Sequence, residues 1–81
     1  MAVDHDSGDY VYEQVAAILR ERIANGTYRA GRVMPSARTL SQELGVSIGS
    51  VKHAIELLRA EDLVETRIGR GIVVRSNVLP R

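Results

Sequence analysis

Two short helix-period segments meeting at one glycine-containing turn, followed by two β-rich runs around a glycine tip, predict a mostly α-helical domain with a small antiparallel β-hairpin. The chain's 81 residues suffice for one modest core and leave no room for a second domain or a deep catalytic cleft beside it. With no Phe and no Trp, that core must come from Leu, Ile, Val and Ala, a supply that suits packed helices.

The first nine residues are polar and acidic without apolar periodicity, and read as a disordered leader over 1–9. Asp9 is placed to cap a first helix, in which Tyr12, Val15, Ala16, Leu19 and Ile23 recur at spacings of three and four. Asn25-Gly26 ends it, because both residues tolerate positive φ. Thr27 to Met34 has no helical period and predicts a loop with a short strand at Arg32 to Met34.

Ser36 after Pro35 supplies a hydroxyl to the orphan amides of a second helix, with Leu40 and Leu44 facing inward. Gly45 stops that helix, and one residue later Ser47 caps a third, whose buried face is Val51, Ala54, Ile55 and Leu58. Two short helices across a tight turn form a helix-turn-helix, expected to pack on the first helix while the second member faces outward. Leu63 to Arg67 and Ile72 to Arg75 then flank Ile68-Gly69-Arg70-Gly71, a hairpin that serves as the wing. Residues 10–75 thus predict one winged helix-turn-helix domain of three helices plus an antiparallel wing, and 76–81 a linker or frayed end.

Composition excludes several classes of function. There is no cysteine, and the two histidines, His5 and His53, lack ligand spacing, so neither a disulfide nor a metal site is expected. No run of eighteen apolar residues occurs, and no secretory leader pattern is present; a cytoplasmic protein without a membrane span is expected. No acid, base or nucleophile cluster points to an enzyme, and no cofactor motif is present: Gly69-Arg70-Gly71 lacks the strand-loop-helix context of a nucleotide loop. The net charge of +1 divides unevenly, with three basic against five acidic residues over 1–31 and eight against five over 32–81. The basic half holds the helix pair and the hairpin, where a polyanion is most easily approached.

If the third helix is the reader, the face opposite its buried stripe carries Ile48, Gly49, Lys52, His53 and Glu56 toward base edges. Ser47, Gly49 and Ser50 lie at the amino end, where free amides and the helix dipole attract phosphate. Arg38, in the first turn of the second helix, opposes that helix's dipole and gains nothing for its stability. A DNA phosphate accounts for it; an ion pair with Glu43 or Asp62 is the alternative. At the hairpin, Gly69 and Gly71 permit close approach, and Arg67 and Arg70 suit a narrow minor groove or its phosphates.

These residues resemble a known family. Tyr12, Gln14-Val15-Ala16, Leu19-Arg20, Ile23, Gly26, Tyr28, Gly31, Met34-Pro35-Ser36, Leu40, Leu44-Gly45-Val46-Ser47, Val51, Ala54, Leu58, Leu63-Val64 and Gly69-Arg70-Gly71 are similar in order and spacing to the N-terminal domain of GntR-type bacterial transcription regulators. The resemblance implies binding to short palindromic operators in double-stranded DNA as a homodimer, commonly for repression, with a small-molecule effector sensed through a C-terminal domain outside these residues. It implies DNA contacts for Arg38, Ser47, Ser50, Lys52 and Gly69. It also exposes departures: Ile48 and Gly49 stand where the family commonly has arginine after the turn serine, Ala30 replaces a proline, and Asp62 replaces a glycine. Ile48 can touch a thymine methyl and Gly49 lets the helix end approach the backbone, so a more A·T-tolerant readout is expected. The rival reading is a winged helix that docks protein and does not bind DNA.

Overall fold

A computed structural model describes residues 11–75. The expected leader, the Asp9 cap and the tail at 76–81 lie outside the described residues. Within them the order is α1 (Val11–Ala24), α2 (Ala37–Leu44), α3 (Ile48–Ala60), β1 (Val64–Arg67) and β2 (Gly71–Val74), three helices and an antiparallel hairpin as the sequence predicts.

Each boundary has a local cause. Ser36 sits in extended backbone and accepts the Thr39 N–H at 3.1 Å, satisfying one of the amides that the start of α2 leaves open. Gly45 adopts φ 69°, the left-handed conformation that ends a helix cheaply only for glycine, and its N–H returns to the Ser41 carbonyl. The Ser41 hydroxyl donates to the Val46 carbonyl, bracing the turn from inside. Ser47 then repeats the cap, accepting the Ser50 N–H at 3.1 Å.

All four residues of the predicted α3 stripe, Val51, Ala54, Ile55 and Leu58, are buried. They meet Val15, Ala16, Leu19 and Ile23 of α1, Leu40 of α2, and Val64 and Val74 of the hairpin in a wholly aliphatic core that also holds Met34 and Val46. Two details differ from the sequence reading. Ile18, outside the expected α1 stripe, is only 4% exposed, whereas Tyr12, inside it, is half-buried. Moreover, α3 rather than α1 is the hub: α1, α2 and β1 all pack on it. Three-residue connections join α3 to α2 before it and to β1 after it, so both neighbours fold back onto α3, and its buried stripe also receives α1.

The hairpin pairs Val64 with Val74 and Arg67 with Gly71. The segment before α2 adds itself to its free edge. Val33 bridges Val73, the Met34 N–H donates to the Ile72 carbonyl at 2.7 Å, and the Val74 N–H donates to the Arg32 carbonyl at 3.0 Å. The short strand expected at Arg32 to Met34 therefore exists as one bridge flanked by two hydrogen bonds. Two ion pairs fix the helices: Arg20 holds Glu61 with two hydrogen bonds of 2.9 and 2.8 Å, and Arg22 holds Glu43.

Candidate nucleic-acid interface

The amino end of α3 presents bare donors. Ser47 spends its acceptor capacity on the Ser50 N–H and donates its proton to Ser50 Oγ, leaving the Ser50 hydroxyl proton and the Ile48 and Gly49 amides without a partner among the described residues. Those amides sit at the positive end of the helix dipole, where an anion is favoured. A Cβ built on Gly49 meets nothing nearer than Ser47 Oγ at 3.9 Å, so packing does not demand glycine there. Ile48 stands beside it, 39% exposed.

Lys52 and His53, adjacent in sequence, leave α3 on opposite flanks. Lys52 lines a groove of about 360 Å³ between α3 and the hairpin, together with Ala37, Ile55, Glu56, Arg59, Thr66 and Ile72. This groove brings the first turn of α2, the outer face of α3 and both strands of the wing onto one side. His53 turns instead toward α1, where its ring stacks on Tyr12 with centroids 3.8 Å apart and planes 7° apart. Sequence reading puts Tyr12 in the core stripe; only the tertiary packing of α1 on α3 reveals its contact with His53.

The charges divide into occupied and available. Arg38 is exposed and has no ion pair among the described residues, because Glu43 is bound by Arg22 and Asp62 occupies the tight corner after α3. Lys52 and Arg70 are likewise without an acidic partner there, whereas Arg67 is drawn back onto Glu65 at 3.1 Å. Glu56, the carboxylate on the outer face of α3, is neutralised by Arg59 one turn later, which lessens its repulsion of a polyanion. Gly69 at φ 82° makes the wing tip narrow, with open space where a Cβ would stand.

Residues 11–74 match the sequence profile of the bacterial regulatory proteins of the gntR family. The chain belongs to this family. Among gntR-family relatives it is 45% identical over 67 residues to the Exu regulon transcriptional regulator of Escherichia coli (strain K12), a stretch that is 83% of this chain and 26% of that protein. The chain thus spans about a quarter of the length of that curated relative. YtrA from Sulfolobus acidocaldarius, a GntR-family transcription factor, superposes with a TM-score of 0.80 at 33% identity, covering 96% of this chain and 66% of that one. The DNA-binding domain of AraR, solved in complex with operator ORX1, superposes with a TM-score of 0.73 at 28% identity over 78% of this chain and 76% of that chain.

One departure from the gntR-family pattern is resolved by the backbone. Asp62 has φ 62°, the only positive value outside glycine among the described residues. Aspartate is one of the few other residue types that visit this region, so the corner between α3 and β1 is kept without the glycine.

Proposed function

We propose that this chain reads double-stranded DNA by sequence as the operator-binding domain of a cytoplasmic bacterial transcription regulator, acting as a repressor. In this reading α3 enters the major groove with Ile48, Gly49, Ser50 and Lys52, His53 stands at the edge of that face against Tyr12, and Ser47 holds the approach by capping the helix. Arg38 meets the adjacent phosphate backbone, and Arg67, Gly69 and Arg70 carry the wing to the neighbouring minor groove. The observation that carries the proposal is the shared groove: the start of α2, Lys52 of α3 and both wing strands line one side of the molecule, and the Ile48 and Gly49 amides open the same helix one turn before Lys52. The AraR domain, similar in fold, was solved in complex with an operator, which supports DNA binding by a domain of this fold.

One module of this size offers a small interface, so useful affinity requires two copies on a short palindromic site, spaced by about one helical turn of DNA or a multiple of it. The regulator is therefore a homodimer on DNA, and a C-terminal domain beyond these residues senses its small-molecule effector. Selection of bound sequences from a random duplex pool tests the whole reading; recovery of a two-fold symmetric motif is the expected result. Affinity for that duplex falls by about 0.9 log units per log of salt for each phosphate neutralised. Recovery of no motif, with no salt-dependent duplex binding, leaves a protein-docking winged helix in its place.

A further inference from the structure

Ile68 stands at the outermost point of the hairpin with a relative exposure of 102%, so its side chain touches nothing in the fold. The other exposed large apolar residues, Val33 at 47% and Ile48 at 39%, each keep about half their surface covered. A branched aliphatic residue at a tight hairpin tip has no structural return, since glycine, asparagine and aspartate suit that position better. The tip around it is slender: the Arg70 N–H closes back on the Arg67 carbonyl at 3.0 Å, and Gly69 presents no side chain. Beside it Arg70 has no acidic partner among the described residues, while Arg67 lies back on Glu65.

We propose that Ile68 is an apolar wedge that enters the minor groove and partly unstacks one base step, with Arg70 held on the flanking phosphates. The inference rests on the DNA-binding reading above and adds a specificity residue to it. Charge chooses the occupant. An apolar point bordered by a free cation is complementary to a polyanion whose interior is apolar, whereas a second copy of the tip brings arginine against arginine. Isoleucine is among the side chains that act as such wedges, and pyrimidine–purine steps open at least cost. Ile68 thereby selects a deformable step without a hydrogen bond to any base.

The test is permanganate oxidation of thymines in a duplex recovered by the pool selection, compared free and saturated with wild-type protein, Ile68→Ala or Ile68→Met. Because Ile68 touches nothing, both variants melt as the wild type does. The wild-type complex shows enhanced oxidation at one pyrimidine–purine step in each half-site. Ile68→Ala abolishes it and weakens binding about tenfold, the equivalent of burying most of one aliphatic side chain, and Ile68→Met restores both. Thymines as unreactive in the saturated wild-type complex as in free duplex overturn the wedge while leaving DNA binding intact. So does enhanced oxidation that survives in Ile68→Ala. Self-association of the free protein that Ile68→Ala abolishes assigns the tip to a second copy and overturns it as well. If no duplex is bound at any salt, the DNA-binding reading fails first and the wedge with it.

Discussion

Tyr12 lies flat against His53, and through that stack the first turn of α1 fixes a side chain on the outer flank of α3. Aromatic pairs of this kind contribute about 0.5–1.5 kcal/mol beyond the area they bury. Tyr12→Ala and His53→Ala are therefore each expected to destabilise the domain by about 1 kcal/mol, with the double variant no worse than the more damaging single one. Urea melts of the four proteins measure the coupling. Strict additivity would show that the two rings merely share space.

Truncating the available cations separates positioning from folding. Lys52→Ala and Arg38→Ala are expected to leave the melting temperature within about 2 °C of wild type, since neither side chain is held by the fold, and to reduce the salt slope of operator binding by about one each. Arg70→Ala weakens specific and random duplex by a similar factor, as a phosphate contact must. Titrations at several salt concentrations check all three; an unchanged slope for Lys52→Ala removes α3 from the interface.

Gly49 makes an unusual opposition of stability and binding testable. In the first turn of α3 it costs up to about 1 kcal/mol relative to alanine, and a methyl group there would meet Ser47 Oγ only at an ordinary contact distance of 3.9 Å. Gly49→Ala is expected to raise the melting temperature and to lower operator affinity severalfold by holding the phosphate off the bare amides. A variant that is more stable and binds as tightly as wild type would mean that the amides are not used.

The Arg20–Glu61 pair sets an acid-side dependence. The bidentate guanidinium holds the Glu61 carboxyl below its ordinary value. A depressed carboxylate adds stability above its unfolded value of about 4.3, and that contribution disappears as the pH falls through the lower folded value. Both side chains are more than a third exposed, at 42% and 38%, so solvent screening keeps the effect within about 1 kcal/mol. Glu61→Gln is expected to be slightly less stable than wild type near neutrality, and the gap to close in strong acid. Thermal melts across that range measure it; a gap independent of pH would assign the loss to packing.

What was legible in the sequence was what depends on near neighbours. The caps at Ser36 and Ser47, the left-handed stop at Gly45, the α3 stripe and the glycine-tipped hairpin all follow from residues within one or two turns of each other, and the structure places each of them as read. Hidden features join distant parts of the chain. Arg20 and Glu61 lie 41 positions apart, and so do Tyr12 and His53, so no periodicity reports them. The same reason explains Arg38: Glu43 looked available along the sequence, and only the packing of α1 near α2 hands it to Arg22. Site chemistry was therefore readable as residue types on faces, while the division of cations into held and free needed the assembled fold.

Only Pro35 separates Met34, whose amide is bonded to Ile72 of the hairpin, from Ser36, the cap of α2. That short tether yokes the ribbon to the helix pair: a swing of the tip drags the start of α2 with it. On the reading proposed above, the surfaces for the two grooves are thus preassembled, and little ordering entropy is left to lose on docking. Recognition then falls to the duplex to accommodate, and sequences that bend readily toward this fixed shape are the ones it retains.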